Sequence, residues 1–382
     1  MEASLYIHVP FCAGKCDYCD FYSLPIAADD PRLNRFVEVL LQDARARLAA
    51  FSITRVPTLF IGGGTPSILG PQRMERLLKG LRALIPRWPA EVTVEVNPES
   101  ADEALLAACQ DNGVSRISAG VQTFHPPSRR LVRRRGDGAL LPGRLALLAS
   151  RYGRAFSADL ITGLPGQDEG TVRADIERLL AFAPGHVSLY ALTVEEGTPL
   201  EREGRRLPPA DEADRLWITG RDMLQDAGCA QYETSNFALP GRRAAHNIRY
   251  WRMENWIGLG PAASSTIISG EAAALDGRRY TQRAGVDSYL AGPPEPAEER
   301  LEPLTLMKET FLMGFRYIEG PDEALFVRRF CRRIEDCIPQ TLAAWRERGM
   351  MIPGKTALNR EGLLFLNAFL RDIFGELDAG NA

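Results

Sequence analysis

The chain lacks several things. It has no apolar run of the ~18 residues that a membrane span needs, and its start, Met1-Glu2-Ala3-Ser4, lacks the basic and apolar stretches of a secretory signal. Neither sign of charge dominates: 46 Lys and Arg face 49 Asp and Glu, a net charge of −3. That balance speaks against a general nucleic-acid or anionic-membrane binder. No internal repeat and no low-complexity tract is visible. Integral membrane proteins, disordered chains, collagens and secreted disulfide scaffolds are therefore excluded as expectations. What is present is ordinary globular material, 45% hydrophobic and 25% charged over 382 residues, enough for two or three domains. The seven cysteines are an odd number without an export signal. They predict reduced thiols and a cytoplasmic protein.

Short β-rich runs alternate with helical patterns through the first two thirds. The predicted strands are Ser4–Val9, Thr58–Ile61, Val92–Val96, Ser115–Ala119, Phe156–Ile161 and His186–Ala191. Asp30-Pro31 reads as a cap and first-turn proline ahead of the stripe Leu33, Phe36, Val37, Leu40, Leu41, Ala44 and Leu48. Met74, Leu77, Leu78 and Leu81 form a second stripe, and Val172, Ile176, Leu179 and Leu180 another; Ser100 with Glu103 reads as a capping box. Strand–helix alternation predicts parallel βα units, in an open sheet or a barrel. Polar residues at or just past strand C-termini (Glu95, Asn97, Gln122, Asp159, Tyr190) favour a barrel, whose chemistry sits on that rim. Each alone reads equally well as a strand-end polar. Gly292-Pro293-Pro294-Glu295-Pro296 opens a predicted linker over 292–300. It divides a core of residues 1–291 from a mostly helical unit of residues 301–382.

Cys12, Cys16 and Cys19 stand in C-x3-C-x2-C spacing just after the first predicted strand. Three thiolates so close suit one soft metal centre. A structural zinc would need a fourth ligand such as His8 or a distant cysteine. A [4Fe–4S] cluster is normally held by four cysteines; with three, one iron is left for a small molecule. Phe60-Ile61-Gly62-Gly63-Gly64-Thr65-Pro66 follows the second strand, where glycines permit a close backbone approach to a ligand. Five arginines crowd into residues 129–135. They read as a solvated face, or as one or two side chains aimed at carboxylates.

The cysteine spacing, with an aromatic before the last cysteine, resembles the radical S-adenosylmethionine (SAM) superfamily. That resemblance implies that Cys12, Cys16 and Cys19 hold the cluster while SAM chelates the fourth iron through its amine and carboxylate. Reduced, such a cluster can cleave SAM to methionine and a 5′-deoxyadenosyl radical. Glu95-Val96-Asn97-Pro98, Gly120-Val121-Gln122-Thr123-Phe124, the run from Asp159 to Gln167, and Ser188-Leu189-Tyr190 extend the likeness to the oxygen-independent coproporphyrinogen oxidase subfamily. By that likeness the fold is α/β, a partial (β/α)6 TIM-like barrel with a small, mostly helical C-terminal domain. Tyr6, Tyr18, Gly63, Gly64, Thr65, Glu95, Gln122, Arg134 and Asp159 would contact SAM. The family's histidine shortly after the arginine is replaced here by Gly136-Asp137-Gly138, so Arg134 is assigned by spacing alone.

Two departures separate this chain from the oxidases of that subfamily. Phe21 stands where they carry a further cysteine, and only eleven residues precede Cys12. Both point to the heme chaperone branch, whose H-N-x-x-Y-W motif matches His246-Asn247-Ile248-Arg249-Tyr250-Trp251. On a helix His246 and Tyr250 would share one face and Asn247 and Trp251 the next. The resemblance implies heme ligated by His246, histidine being the commonest axial ligand; a structural turn with a buried aromatic pair is the alternative. It further implies delivery of heme to respiratory proteins, with the chain at most peripherally on a membrane and no nucleic acid bound. A homodimer is left open. Coproporphyrinogen III oxidation is the enzymatic alternative, and a zinc-bound interaction module a third. Cys109, Cys229, Cys331 and Cys337 read as packed or free thiols, His8 and His125 as structural.

Overall fold

The computed structural model describes residues 1–380. Six strands alternate with helices: β1 (Ser4–Val9), β2 (Thr58–Gly63), β3 (Glu91–Val96), β4 (Arg116–Gln122), β5 (Phe156–Thr162) and β6 (His186–Ala191). The helices that follow them are α1 (Arg32–Ala50), α2 (Gly70–Leu84), α3 (Glu103–Asp111), α4 (Leu141–Tyr152), α5 (Glu169–Leu180) and α6 (Ala210–Asp226). After them come a hairpin, β7 (Ala230–Gln231) and β8 (Asn236–Ala238), then helix α7 (Ala245–Trp251). The strands β9 (Trp256–Leu259), β10 (Ser264–Ser269), β11 (Asp276–Thr281) and β12 (Ala297–Leu301) complete one sheet. Its order is β12-β11-β10-β9-β1-β2-β3-β4-β5-β6-β8-β7.

The period-2 alternation of the strands explains why this sheet has a polar inside. On β1, Leu5, Ile7 and Val9 join the apolar core, as do Leu59 and Ile61 of β2, Val92 and Val94 of β3, and Ile117 and Ala119 of β4. The same core takes the helical stripes, such as Phe36, Val37 and Leu40 of α1 and Met74, Leu77 and Leu78 of α2. Each such buried Leu, Ile, Val or Phe contributes roughly 1.5–3 kcal/mol. The intervening positions are Tyr6 and His8, Thr93 and Glu95, Arg116 and Ser118, Ser157 and Asp159, His186 and Ser188. They face the opposite way, into the lumen of a partial barrel.

Three details differ from the expectations. A seventh parallel strand, β9, pairs with β1, so the parallel part extends beyond six strands. Its four residues were too short to read as a strand. Asp102, not Ser100, caps α3, accepting from the Leu105 N–H at 2.8 Å. The stretch 292–300 contains most of β12, which pairs with β11 through a ladder rich in charge, with Arg278 opposite Arg300, Arg279 opposite Glu299 and Tyr280 opposite Glu298. Charged side chains on an outer strand hid it from a hydrophobic pattern. Beyond it the chain is helical: α8 (Pro303–Gly314), α9 (Glu323–Phe330), α10 (Pro339–Glu347) and α11 (Leu366–Ala379), with shorter turns between. These helices enclose a separate core that includes Phe311, Phe315, Phe326, Trp345 and Phe369.

Candidate functional site

The cysteine loop leaves the C-terminal end of β1. A two-residue parallel ladder pairs Phe11–Cys12 with Leu24–Pro25 and closes the loop at its base. Leu24 N–H donates to Pro10 O at 2.8 Å and Ile26 N–H to Cys12 O at 2.9 Å. On its far side the loop is tied by Asp17, whose buried carboxylate meets Arg133 at 2.6 Å and Arg205 at 2.8 Å. Cys12, Cys16 and Cys19 all line one cavity of about 270 Å³ above the strand ends. Cys12 Sγ lies 3.1 Å from Thr65 Oγ1, and Arg134 Nη1 approaches Cys16 Sγ at 3.7 Å. Burial pushes the Cys19 thiol up from its ordinary range.

The other side of the cavity is the glycine end of β2. Gly64 N–H donates to Val9 O at 2.9 Å and Thr65 N–H to Phe11 O at 2.7 Å, which seals this turn against the cysteine loop. A Cβ on Gly64 would stand 2.5 Å from the Phe11 carbonyl oxygen, so the approach requires glycine. Gly63 has φ +110°, a conformation that side chains avoid. Its N–H donates to Glu95 Oε2 at 3.1 Å.

Glu95 and Asp159 share the wall, and among the described residues neither is hydrogen-bonded to or ion-paired with a cationic side chain. Burial, then the Asp159 charge, raises the Glu95 carboxyl to about 8. Burial raises Asp159 to about 6, against hydrogen bonds from Ser188 and Ser118. Gln122 enters the cavity because of a register shift between β4 and β5 at Gly120 and Gln122. It takes φ +67°, an uncommon conformation for glutamine, and bulges of this kind re-aim a side chain.

The arginine run is resolved residue by residue. Arg129 is buried and donates to Glu99 at 2.5 Å and to the carbonyls of Val121 and Thr123. Arg133 is spent on Asp17 and Glu203. Arg134 lines the cavity: Nη2 donates to Asn97 Oδ1 at 2.7 Å and to Gly120 O at 2.5 Å, while its buried Nε has no partner among the described residues. Tyr18, Gly63, Gly64, Thr65 and the three cysteines join Glu95, Gln122, Arg134 and Asp159 around one space. The sequence reading did not single out Ser118, which also lines it. The alternation Arg116-Ser118-Gly120 against Ile117 and Ala119 is the signal that could have found it.

Two expected contacts lie elsewhere. Tyr6 sits below the cavity, its hydroxyl 3.0 Å from His8 Nδ1. His246 is 1% exposed at the floor of the barrel. Its Nδ1 lies 2.8 Å from Thr58 Oγ1, its Nε2 3.2 Å from the Tyr250 hydroxyl. Both ring nitrogens are thus engaged and the ring is covered in this conformation. Burial, reinforced by Arg249, holds it down to about 3.

The donor set also discriminates among metals. Among the described residues no three His, Cys, Asp or Glu side chains converge as they would around a single ion. Three thiols lining one cavity fit a [4Fe–4S] cluster with one iron left for a small molecule, whereas a structural zinc would need a fourth protein ligand.

A model of the radical SAM superfamily matches residues 6–179. Heme chaperone HemW of Escherichia coli (strain K12) is 35% identical, covering 98% of both chains. Heme chaperone HemW of Lactococcus lactis subsp. lactis is 33% identical over 86% of this chain and 85% of that one. The radical S-adenosyl methionine domain-containing protein 1, mitochondrial, of Bos taurus is 34% identical over 82% of this chain and 73% of its own. Among solved structures, coproporphyrinogen III oxidase HemN of Escherichia coli superposes with a TM-score of 0.81, covering 97% of this chain and 90% of that one, at 19% identity. That likeness is one of fold alone. Near-full-length identity to the chaperones, joined to the cysteine spacing and the superfamily match, settles the family: the chain belongs to the heme chaperone HemW family of radical SAM proteins.

Proposed function

We propose that the chain is a heme chaperone that holds a [4Fe–4S] cluster and SAM at the barrel mouth, binds heme and passes it to respiratory proteins. The observation that carries the site is the shared cavity of Cys12, Cys16, Cys19, Glu95, Asp159 and Arg134. The three cysteines would hold the cluster. The two carboxylates, which bond no cationic side chain among the described residues, suit the positive amine and sulfonium of SAM, and Arg134, whose Nε has no partner among them, suits the carboxylate. When bound and reduced, a cluster of this kind can supply an electron to the sulfonium. The chain's own part is to exclude water from that space, to fix the loop through Asp17, and to present an uncharged Gly63–Thr65 edge. Gly63, Gly64, Thr65, Gln122 and Tyr18 complete the SAM contacts in this reading.

The names of the relatives support heme as the cargo; His246, buried with both nitrogens hydrogen-bonded, would have to leave its place to serve as an axial ligand. The chain works in the cytoplasm and reaches its recipients at a membrane surface; among the described residues no helix is long and apolar enough to cross one. The test is made with anaerobically reconstituted protein. Heme titration should yield a saturable Soret change, and dithionite, SAM and coproporphyrinogen III together should yield no protoporphyrinogen. Absence of heme binding, or formation of protoporphyrinogen, would overturn the reading in favour of the oxidase.

A further inference from the structure

The H-N-x-x-Y-W stretch becomes α7, and its place in the fold follows from local contacts. The carboxylate of Glu91, at the start of β3, accepts from the Ala245 and His246 N–H groups at 2.9 and 2.8 Å and fixes the helix N-terminus. Positions four apart then share a face. Ile248 and Trp251 pack against Tyr232 and Tyr317, toward the C-terminal helices. His246 and Tyr250 enter the barrel floor, ring edge to ring face, with centroids 4.9 Å apart at 86°.

The hydrogen bonds define the imidazole. The Thr58 hydroxyl donates to Ser4 Oγ at 2.8 Å, so toward His246 it accepts. Nδ1 therefore carries the proton, and Nε2 accepts from the Tyr250 hydroxyl. Such an imidazole is neutral and locked in orientation.

From this floor a stack of rings rises through the lumen. His246 stacks on Phe60, with centroids 5.1 Å apart and planes at 26°. Phe60 stacks on Tyr6 at 6.2 Å and 28°. The Tyr6 hydroxyl meets His8 Nδ1 at 3.0 Å, and His8 Nε2 meets the Tyr22 carbonyl, at the exit of the cysteine loop, at 2.8 Å. The stack also props the glycine turn. A Cβ on Gly62 would stand 2.7 Å from the Phe60 ring and 2.7 Å from Glu95 Oε2, and one on Gly63 would stand 2.6 Å from His8 Nδ1. Protein interiors of this density transmit displacement rather than absorb it.

We propose that His246 is a positioning residue for the SAM pocket, acting through Phe60, Tyr6 and His8 on the Gly62–Gly64 turn and on the end of the cysteine loop. The inference rests on SAM occupying the cavity as proposed above. It assigns the motif's histidine to the nucleoside site and not to heme.

The experiment uses the full-length, anaerobically reconstituted chain. SAM affinity is measured by calorimetry for wild type, His246→Ala, His246→Phe, Phe60→Ala and the double alanine variant, with iron content and heme titration in parallel. Losing support behind a bound group costs about tenfold or more in affinity, so each alanine variant should bind SAM about tenfold more weakly at unchanged iron content. The double variant should be no weaker than either single one, because both break the same stack. His246→Phe keeps a ring in place and should retain affinity within about twofold. Heme affinity and spectrum should be unchanged throughout. Additive losses, or full SAM affinity in both single alanine variants, would overturn the inference while leaving the SAM site intact. Loss of the Soret change in His246→Ala with SAM binding preserved would overturn it in favour of heme ligation. A wild type that takes up no SAM would overturn the proposed function and this inference together.

Discussion

Glu95 and Asp159 carry a consequence that pH can expose. Both carboxyls are raised in the folded chain, Glu95 from 4.5 to about 8 and Asp159 from 3.8 to about 6. As pH rises the unfolded state gives up these protons first, so the folded state loses stability. The contribution is complete below the ordinary carboxylate values and is gone above about 8 for Glu95. Glu95→Gln should therefore flatten the fall in stability of the metal-free chain across that interval, measured by urea unfolding at successive pH values. A cationic ligand reverses the sense: SAM affinity should rise with pH over the same range in wild type and less in the variant. The arginine run gives a second comparison at this scale. Arg134→Ala removes the charged donor of Asn97 Oδ1 and Gly120 O, both partly buried, at a cost of about 1.5–3 kcal/mol for hydrogen bonds to a charged group. Arg130 is exposed, and Arg130→Ala should stay within about 0.5 kcal/mol of wild type. Denaturant midpoints for the two variants check the contrast.

At the scale of elements, the turn after β2 is the least forgiving. The 2.5 Å separation between a Gly64 Cβ and Phe11 O involves two backbones, neither with a flexible end to yield. Gly64→Ala should push the cysteine loop away and lower iron content on reconstitution, while far-UV circular dichroism stays near wild type. Helix α7 depends on a carboxylate from another strand, so Glu91→Ala should cost about 1 kcal/mol, in the range of a lost cap, read by urea unfolding. Much of this framework was legible. The β1 and β6 bounds follow directly from the apolar and polar runs, and the three cysteines and the glycine turn announced themselves by spacing. What hid was non-local. Four-residue β9 acquires its identity from β1 beside it, and β12 from the charged ladder with β11. The motif was legible only conditionally, as a helix that would put His246 and Tyr250 on one face or as a structural turn, and it forms a helix. Which way that face points is fixed by Glu91, Thr58 and Phe60, more than 150 residues away, and no periodicity reports it.

On the scale of the whole molecule, two cores meet across α7 and the β7–β8 hairpin. The larger wraps the outside of the sheet, and the smaller lies within the C-terminal helices. Between them Ile318 N–H donates to Tyr232 O at 3.0 Å and Arg243 pairs with Glu319 at 2.7 Å. Phe369 is fully buried in the smaller core, edge-on to Phe315 and Trp345. Phe369→Ala should cost about 3–5 kcal/mol there. Denaturation should then show an early transition for the C-terminal helices, with the barrel unfolding near its wild-type midpoint. The account as a whole turns on what the three thiols hold. Mössbauer spectroscopy of 57Fe-reconstituted, oxygen-free protein, before and after addition of SAM, addresses this most directly. The account predicts roughly four irons per chain, the content of one [4Fe–4S] cluster, with SAM altering the signal of a single iron. A colourless chain without iron, or a cluster spectrum indifferent to SAM, would contradict it.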